Sequence, residues 1–263
     1  MLKCDTHTHS LYSRHAYSTV EENVREAAAQ GLELLAVTDH FSDMLYPEVH
    51  IKHFQYLFNQ ATLPESWHGV RLLHGCEADI VDLDGHLFGH HIPVTENIVG
   101  MKYKKIQNLD EFICSRMDFV IASVHGKAFA QEATLAQTTD MYIKAMEHKR
   151  VLILGHIGRS GVPFEMDPVL LAAKENHKLI ELNEHSFHKN YPEAARRCRA
   201  IALRCAELEV PVSVASDAHI SCHIGRFDQV SQMLEEIHFP QELIASRDKE
   251  AFLNAMAAAG ISS

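Results

Sequence analysis

The side chains in this chain that could do chemistry fall in small clusters. They read D-T-H-T-H-S at 5–10, His15, T-D-H at 38–40, Glu77, His125, His156 and S-D-A-H at 216–219. Imidazole and carboxylate without a thiolate set suit borderline divalent ions such as zinc, manganese or iron. His7 and His9 lie two apart, as do Asp217 and His219, and residues at that spacing on an extended strand point to one face. Three cations need roughly nine protein ligands if each takes three and keeps a position open to water. His7, His9, His15, His40, Glu77, His125, His156, Asp217 and His219 supply that number. Taken singly, His125 or His156 reads as a hydrogen-bonded core residue and Glu77 as a solvated charge. The ion-binding reading rests on the recurrence of one pattern, a short apolar run followed by a ligand.

Those runs define the elements that must position the ligands. Leu2–Cys4, Leu34–Val37, Leu72–Leu73, Phe119–Val124, Val151–Leu154, Leu179–Leu182 and Val212–Ala215 read as buried strands. Helical patterns alternate with them: one opened by a capping box at Ser18 and Glu21 and closed at Gly31, one over 134–148, one started by Asp167-Pro168, then 192–208, 228–237 and 248–259. Seven strands interleaved with helices predict an α/β parallel sheet or barrel, with the ligands meeting at one mouth. No Ser/Gly/Pro-rich linker divides residues 1–263, so a single domain is expected. The stretch 83–110, with His86, His90, His91 and M-K-Y-K-K, reads as an insertion or lid loop, and 45–68 as a second flap.

Composition narrows the function. The 24 basic and 35 acidic residues give a formal charge of −11, which excludes a broad nucleic-acid-binding face but not a small phosphorylated substrate, because bound cations reverse the field locally. None of the six cysteines forms a CxxC pair, and Cys198 and Cys205 are spaced to share a helix face, so buried thiols in a reducing compartment are expected. The N-terminus has no basic-then-apolar leader and no apolar run could span a bilayer. The expectation is a soluble, cytoplasmic protein without a membrane partner; homo-oligomerisation is left open. Asp39 and Asp5 are read as acceptors for an imidazole N–H, with backbone capping an equal alternative for Asp5. Arg159, Arg226 and Lys127 are candidate phosphate contacts. His50, His53, His68, His148, His177 and His238 are expected to face solvent, while His185, His188, His223 and the 86–91 group could reach the mouth.

The T-H-T-H-S start, V-T-D-H, the Glu after the third strand, two single strand-end histidines and the late S-D-A-H stand in the order of the polymerase and histidinol phosphatase (PHP) family. The chain resembles that family along nearly its whole length. It is most similar to the YcdX-like stand-alone metal-dependent phosphatases, through S-R-H-A-Y-S-T at 13–19 and G-C-E-A-D-I at 75–80. The resemblance implies a distorted, TIM-like (β/α)7 barrel with three divalent ions, zinc foremost, at the C-terminal mouth of the strands. It implies one ion on His7, His9, Glu77 and Asp217, a second on Glu77, His125 and His156, and a third on His15, His40 and His219. H-I-G-R after the fifth strand departs from the family, which often has Pro after that His, and 83–110 looks long. The implied activity is hydrolysis of a phosphate monoester by a metal-bridging hydroxide. Alternatives are a histidinol-phosphate phosphatase, a phosphodiesterase or exonuclease on short nucleic acids, and a catalytically silent zinc-binding module.

Overall fold

The computed structural model describes residues 2–46 and 48–262. Seven parallel strands run in sequence order: β1 (Cys4–Asp5), β2 (Leu34–Val37), β3 (Val70–Asp79), β4 (Phe119–Ser123), β5 (Val151–Leu154), β6 (Leu179–Asn183) and β7 (Val212–Ala215). Every strand segment Leu34–Val37, Phe119–Ser123, Val151–Leu154 and Val212–Ala215 is buried throughout, the signature of a sheet covered on both faces. The first and last strands approach through a parallel bridge between Thr8 and Ala218 and a 2.8 Å bond between the hydroxyls of Thr6 and Ser213. The result is a nearly closed α/β barrel of TIM-like form, as the alternation of runs predicts.

Helices Val20–Ala29, Leu135–Glu147, Met166–Glu175, Pro192–Leu208, Asp228–Glu236 and Lys249–Ala258 pack outside. Two expected helix starts differ. The capping box uses Thr19 and Glu22 rather than Ser18 and Glu21, because the Ser18 hydroxyl accepts the Ser221 N–H at 2.9 Å and ties down a loop instead. Asp167 sits inside the first turn of its helix, with its carboxylate held by Arg204 at 2.6 and 2.7 Å, and so does not cap. The stretch 45–68 is no free flap: Phe54 and Leu57 are fully buried, and Ser66–Trp67 pairs with the start of β3; Pro47 lies outside the described residues. Residues 83–110 contain an antiparallel hairpin, Pro93–Glu96 with Lys102–Asn108. Among the described residues, no helix is long and apolar enough to cross a membrane.

Candidate metal centre

Each of the seven strands sends polar side chains past or from its C-terminal half. β1 leads to His7 and His9, β2 to Asp39 and His40, β3 carries Glu77 and Asp79, β4 leads to His125, β5 to His156, β6 carries Glu181 and Asn183, and β7 leads to Asp217 and His219. His15 follows the short turn Leu11–Ser13. Two of these residues adopt backbone shapes that L-residues avoid: His156 has φ +26° and Asp217 φ +55°. Such strain persists only where surrounding contacts hold it, and it concentrates at functional sites. Gly155 immediately precedes the first of these turns. A Cβ there would overlap the Ser123 hydroxyl and the Ile121 side chain, so glycine lets β5 end close against β4.

The nine expected ligands converge. Glu77 is fully buried at the centre. Its Oε1 lies 2.7 Å from His156 Nε2 and 3.4 Å from His125 Nε2. Its Oε2 lies 2.8 Å from His40 Nδ1, 3.3 Å from His7 Nε2 and 3.5 Å from His9 Nε2. Asp217 Oδ1 lies 3.1 Å from His9 Nε2 and 3.7 Å from His7 Nε2. His15 Nε2 faces His219 Nε2 at 3.0 Å and His40 Nε2 at 3.3 Å.

The protons on these rings are placed by groups behind them. Glu181 Oε1 takes the Nδ1–H of His7 at 2.7 Å, and Asp79 Oδ1 takes that of His125 at 2.5 Å. Ser13 Oγ lies 3.1 Å from His9 Nδ1, and the Asp217 carbonyl accepts from His219 Nδ1 at 2.9 Å. A ring whose proton is held at Nδ1 presents a bare lone pair at Nε2. Here the Nε2 atoms of His7 and His9 lie 3.1 Å apart, a gap that a proton on His7 fills in the absence of a cation, and both face carboxylate oxygens. Glu77 Oε2 has three ring nitrogens within 3.5 Å yet no hydrogen bond, and His156 Nδ1 and His40 Nδ1 are likewise buried without one. Ring nitrogens and carboxylate oxygens gathered this closely need protons or cations between them, and imidazole with carboxylate is a donor set that fits divalent metal ions.

The titration behaviour follows. Burial opposes charge on His7, but Glu77, Glu181 and Asp217 outweigh it and hold the ring well above its ordinary range. Burial opposes charge on Glu77 and on Asp217 too, yet the surrounding imidazoles, with Arg159 first for Asp217, keep both carboxyls far below theirs. For His125, burial is outweighed by Glu77 and Asp79, which raise the ring to about 9. His15 drops to about 4 through burial and the neighbouring His40 and His219.

The other expected residues divide. Arg159 lines the mouth, but its guanidinium donates to Asp217 Oδ2 at 2.7 Å, so it positions a ligand before it can touch a substrate. Arg226 lines an adjoining groove of about 510 Å³ with His188, His223 and Tyr17. Lys127 is exposed and its Nζ lies beside Gly161; it is not among the residues lining the mouth. Asp39 takes no imidazole N–H directly. It accepts from the Ser10 amide and hydroxyl and from the Ser13 hydroxyl at 2.6–2.7 Å, and so reaches His9 through Ser13. Asp5 caps backbone, taking the amides of Ser216 and Gly225. His185 reaches the mouth, a cavity of about 390 Å³ rimmed also by Met44 and Tyr191. His50, His68, His177 and His238 are exposed, while His53 and His148 are half-buried. Glu181 was not anticipated. Its signal is an acid inside the apolar run L-I-E-L at 179–182, where an unpaired charge would be costly.

A family model described as PHP domain matches residues 5–242. The chain belongs to the PHP domain family. A PHP protein of Caldanaerobacter subterraneus subsp. tengcongensis, described as a "Probable phosphatase", is 37% identical over 92% of this chain and 86% of its own length. One from Acetivibrio thermocellus with the same description is 36% identical over 94% and 92%. In fold, the chain is similar to the histidinol phosphate phosphatase of Lactococcus lactis subsp. lactis, solved with zinc, L-histidinol and phosphate. That match has a TM-score of 0.57 at 18% identity and covers 90% of this chain and 94% of the other.

Proposed function

We propose that this PHP protein is a metal-dependent phosphatase acting on small phosphate monoesters at a centre for three divalent cations, with zinc the first choice. The observation that carries this reading is the placement of Glu77, whose two oxygens face different sets of ring nitrogens while a third set gathers on His15. His7, His9 and Asp217 with Glu77 would hold one ion, Glu77, His125 and His156 a second, and His15, His40 and His219 a third. When bound, such ions supply Lewis acidity toward phosphoryl oxygens and a nucleophile at neutral pH. Glu181 and Asp79 keep protons on the Nδ1 atoms of His7 and His125 and so leave Nε2 free. Arg159 fixes Asp217 and offers its remaining N–H groups to a phosphoryl oxygen at the mouth. Three divalent ions and Arg159 against Glu77, Asp217, Glu181 and Asp79 leave a local charge of about +3, which attracts an anion to a protein of opposite overall sign.

Turnover of an aryl phosphate and of its diester by metal-replete protein tests the reading. Hydrolysis of the monoester in preference to the diester is expected; no hydrolysis of either overturns it. Histidinol phosphate belongs in a panel of metabolite phosphates beside it. A second reading, a diesterase on short nucleic acids, draws on the groove that continues from the mouth past His185 and His219 to Tyr17 and Phe187. Preference for the diester would favour it.

A further inference from the structure

The segment D-L-D-G-H-L-F-G-H at 82–90 brings together three potential ligands that the barrel centre does not use. Asp82 Oδ2 lies 2.9 Å from His86 Nδ1 and 3.8 Å from His90 Nε2. The three ligand atoms all lie within 4.8 Å of one another. The two rings are parallel, with centroids 4.4 Å apart and planes 9° from each other. None of the three residues lines the mouth or its adjoining groove.

We propose that Asp82, His86 and His90 form a separate site for a divalent cation of the zinc class. Two imidazoles and one carboxylate are zinc ligand types, and zinc bonds of about 2.0–2.1 Å in a tetrahedron set neighbouring ligand atoms about 3.3 Å apart. The observed separations of 2.9 and 3.8 Å straddle that value. A hydrogen bond from His86 to Asp82 accounts for one ring only. His90 Nε2, at 3.8 Å, is too distant from the same oxygen to bond to it, and because the two rings are stacked the His90 ring turns toward Oδ2 to bring both lone pairs onto one ion.

The segment is held in shape without the ion. Asp82 Oδ1 accepts the amides of Asp84 and His86 at 3.0 and 3.1 Å, while Oδ2 takes the His86 Nδ1–H at 2.9 Å, the proton that a cation would replace. Asp84 pairs with Lys144 at 2.8 Å. Gly85, at φ +74°, runs so close to the helix Leu135–Glu147 that a Cβ would lie 2.7 Å from Met141 O and Ala145 N. The ligands are therefore presented on a clamped turn, and three protein ligands leave the fourth position to water.

The test compares the wild-type chain with His86→Ala/His90→Ala and with Asp82→Asn, each dialysed against zinc and assayed for bound metal. The wild type should retain about one equivalent more than either variant. Aryl-phosphate turnover should be unchanged in both, and zinc added beyond the shared equivalents should raise the melting midpoint of the wild type alone. Equal zinc content in wild type and Asp82→Asn, which keeps the side-chain shape, would overturn the proposal. Loss of turnover together with metal would also overturn it, since the cluster would then serve the barrel centre.

Discussion

Glu181→Gln isolates one hydrogen-bond pattern with almost no change of volume. Both carboxylate oxygens of Glu181 accept: Oε1 from His7 Nδ1 at 2.7 Å, Oε2 from the His156 amide at 2.7 Å and from Asn183 Nδ2 at 3.2 Å. An amide has one oxygen and one NH2, so one donor must face another donor. If the NH2 faces His156, a buried backbone N–H loses its partner at about 1–3 kcal/mol. If it faces His7, the ring proton moves from Nδ1 to Nε2, and Nε2 can no longer bind a cation. Either way, loss of a group that orients a metal ligand costs about 10–100-fold in metal affinity. At 1.4 kcal/mol per tenfold this is about 1.4–2.8 kcal/mol, the same range as the unsatisfied donor. Zinc affinity measured against a competing chelator, with denaturant unfolding of the metal-free protein alongside, reads both. Wild-type zinc affinity together with unchanged metal-free stability in a folded Glu181→Gln protein would refute the claim that Glu181 accepts from both His7 and the His156 amide.

Arg159→Ala should weaken metal binding as well as turnover, because Asp217 Oδ2 loses its 2.7 Å partner; a purely KM effect at full metal content would show that Arg159 serves substrate alone. In metal-free protein, His125 is raised from 6.5 to about 9, so its charged form favours the fold. That contribution is whole below pH 6.5 and lost as pH climbs through 9, on the order of 3 kcal/mol for a ring only 24% exposed. Denaturant midpoints that stay flat across this window, or a His125→Gln variant with the same slope, would contradict it. Among the cysteines, only Cys222 is exposed, and burial raises the thiols of Cys198 to about 11 and Cys205 to about 12. A thiol reagent should modify Cys222 quickly and the rest only on unfolding; fast modification of a second thiol in native protein would be at odds with this packing.

The barrel was legible because each strand is a short apolar run and each run ends in a side chain out of place in a core. Helix ends were less so, since Ser18 and Asp167 carry cap-forming side chains that tertiary partners claim, Ser221 for one and Arg204 for the other. The nine convergent side chains stood out through recurrence at strand ends. The groups behind them did not. Ser13 and Asp79 look like ordinary loop and strand residues until folding sets them against His9 and His125. The role of Arg159 changed for the same reason: three residues past His156 it reads as a phosphate clamp, and only the left-handed turn at Asp217 shows where its charge is spent.

The metal content of Glu77→Ala beside that of the wild type tests the central claim most directly. If Glu77 stands between two ion sites, the variant retains about two equivalents fewer and hydrolyses aryl phosphate at a small fraction of the wild-type rate. A folded Glu77→Ala protein with full metal content and full turnover would contradict the account.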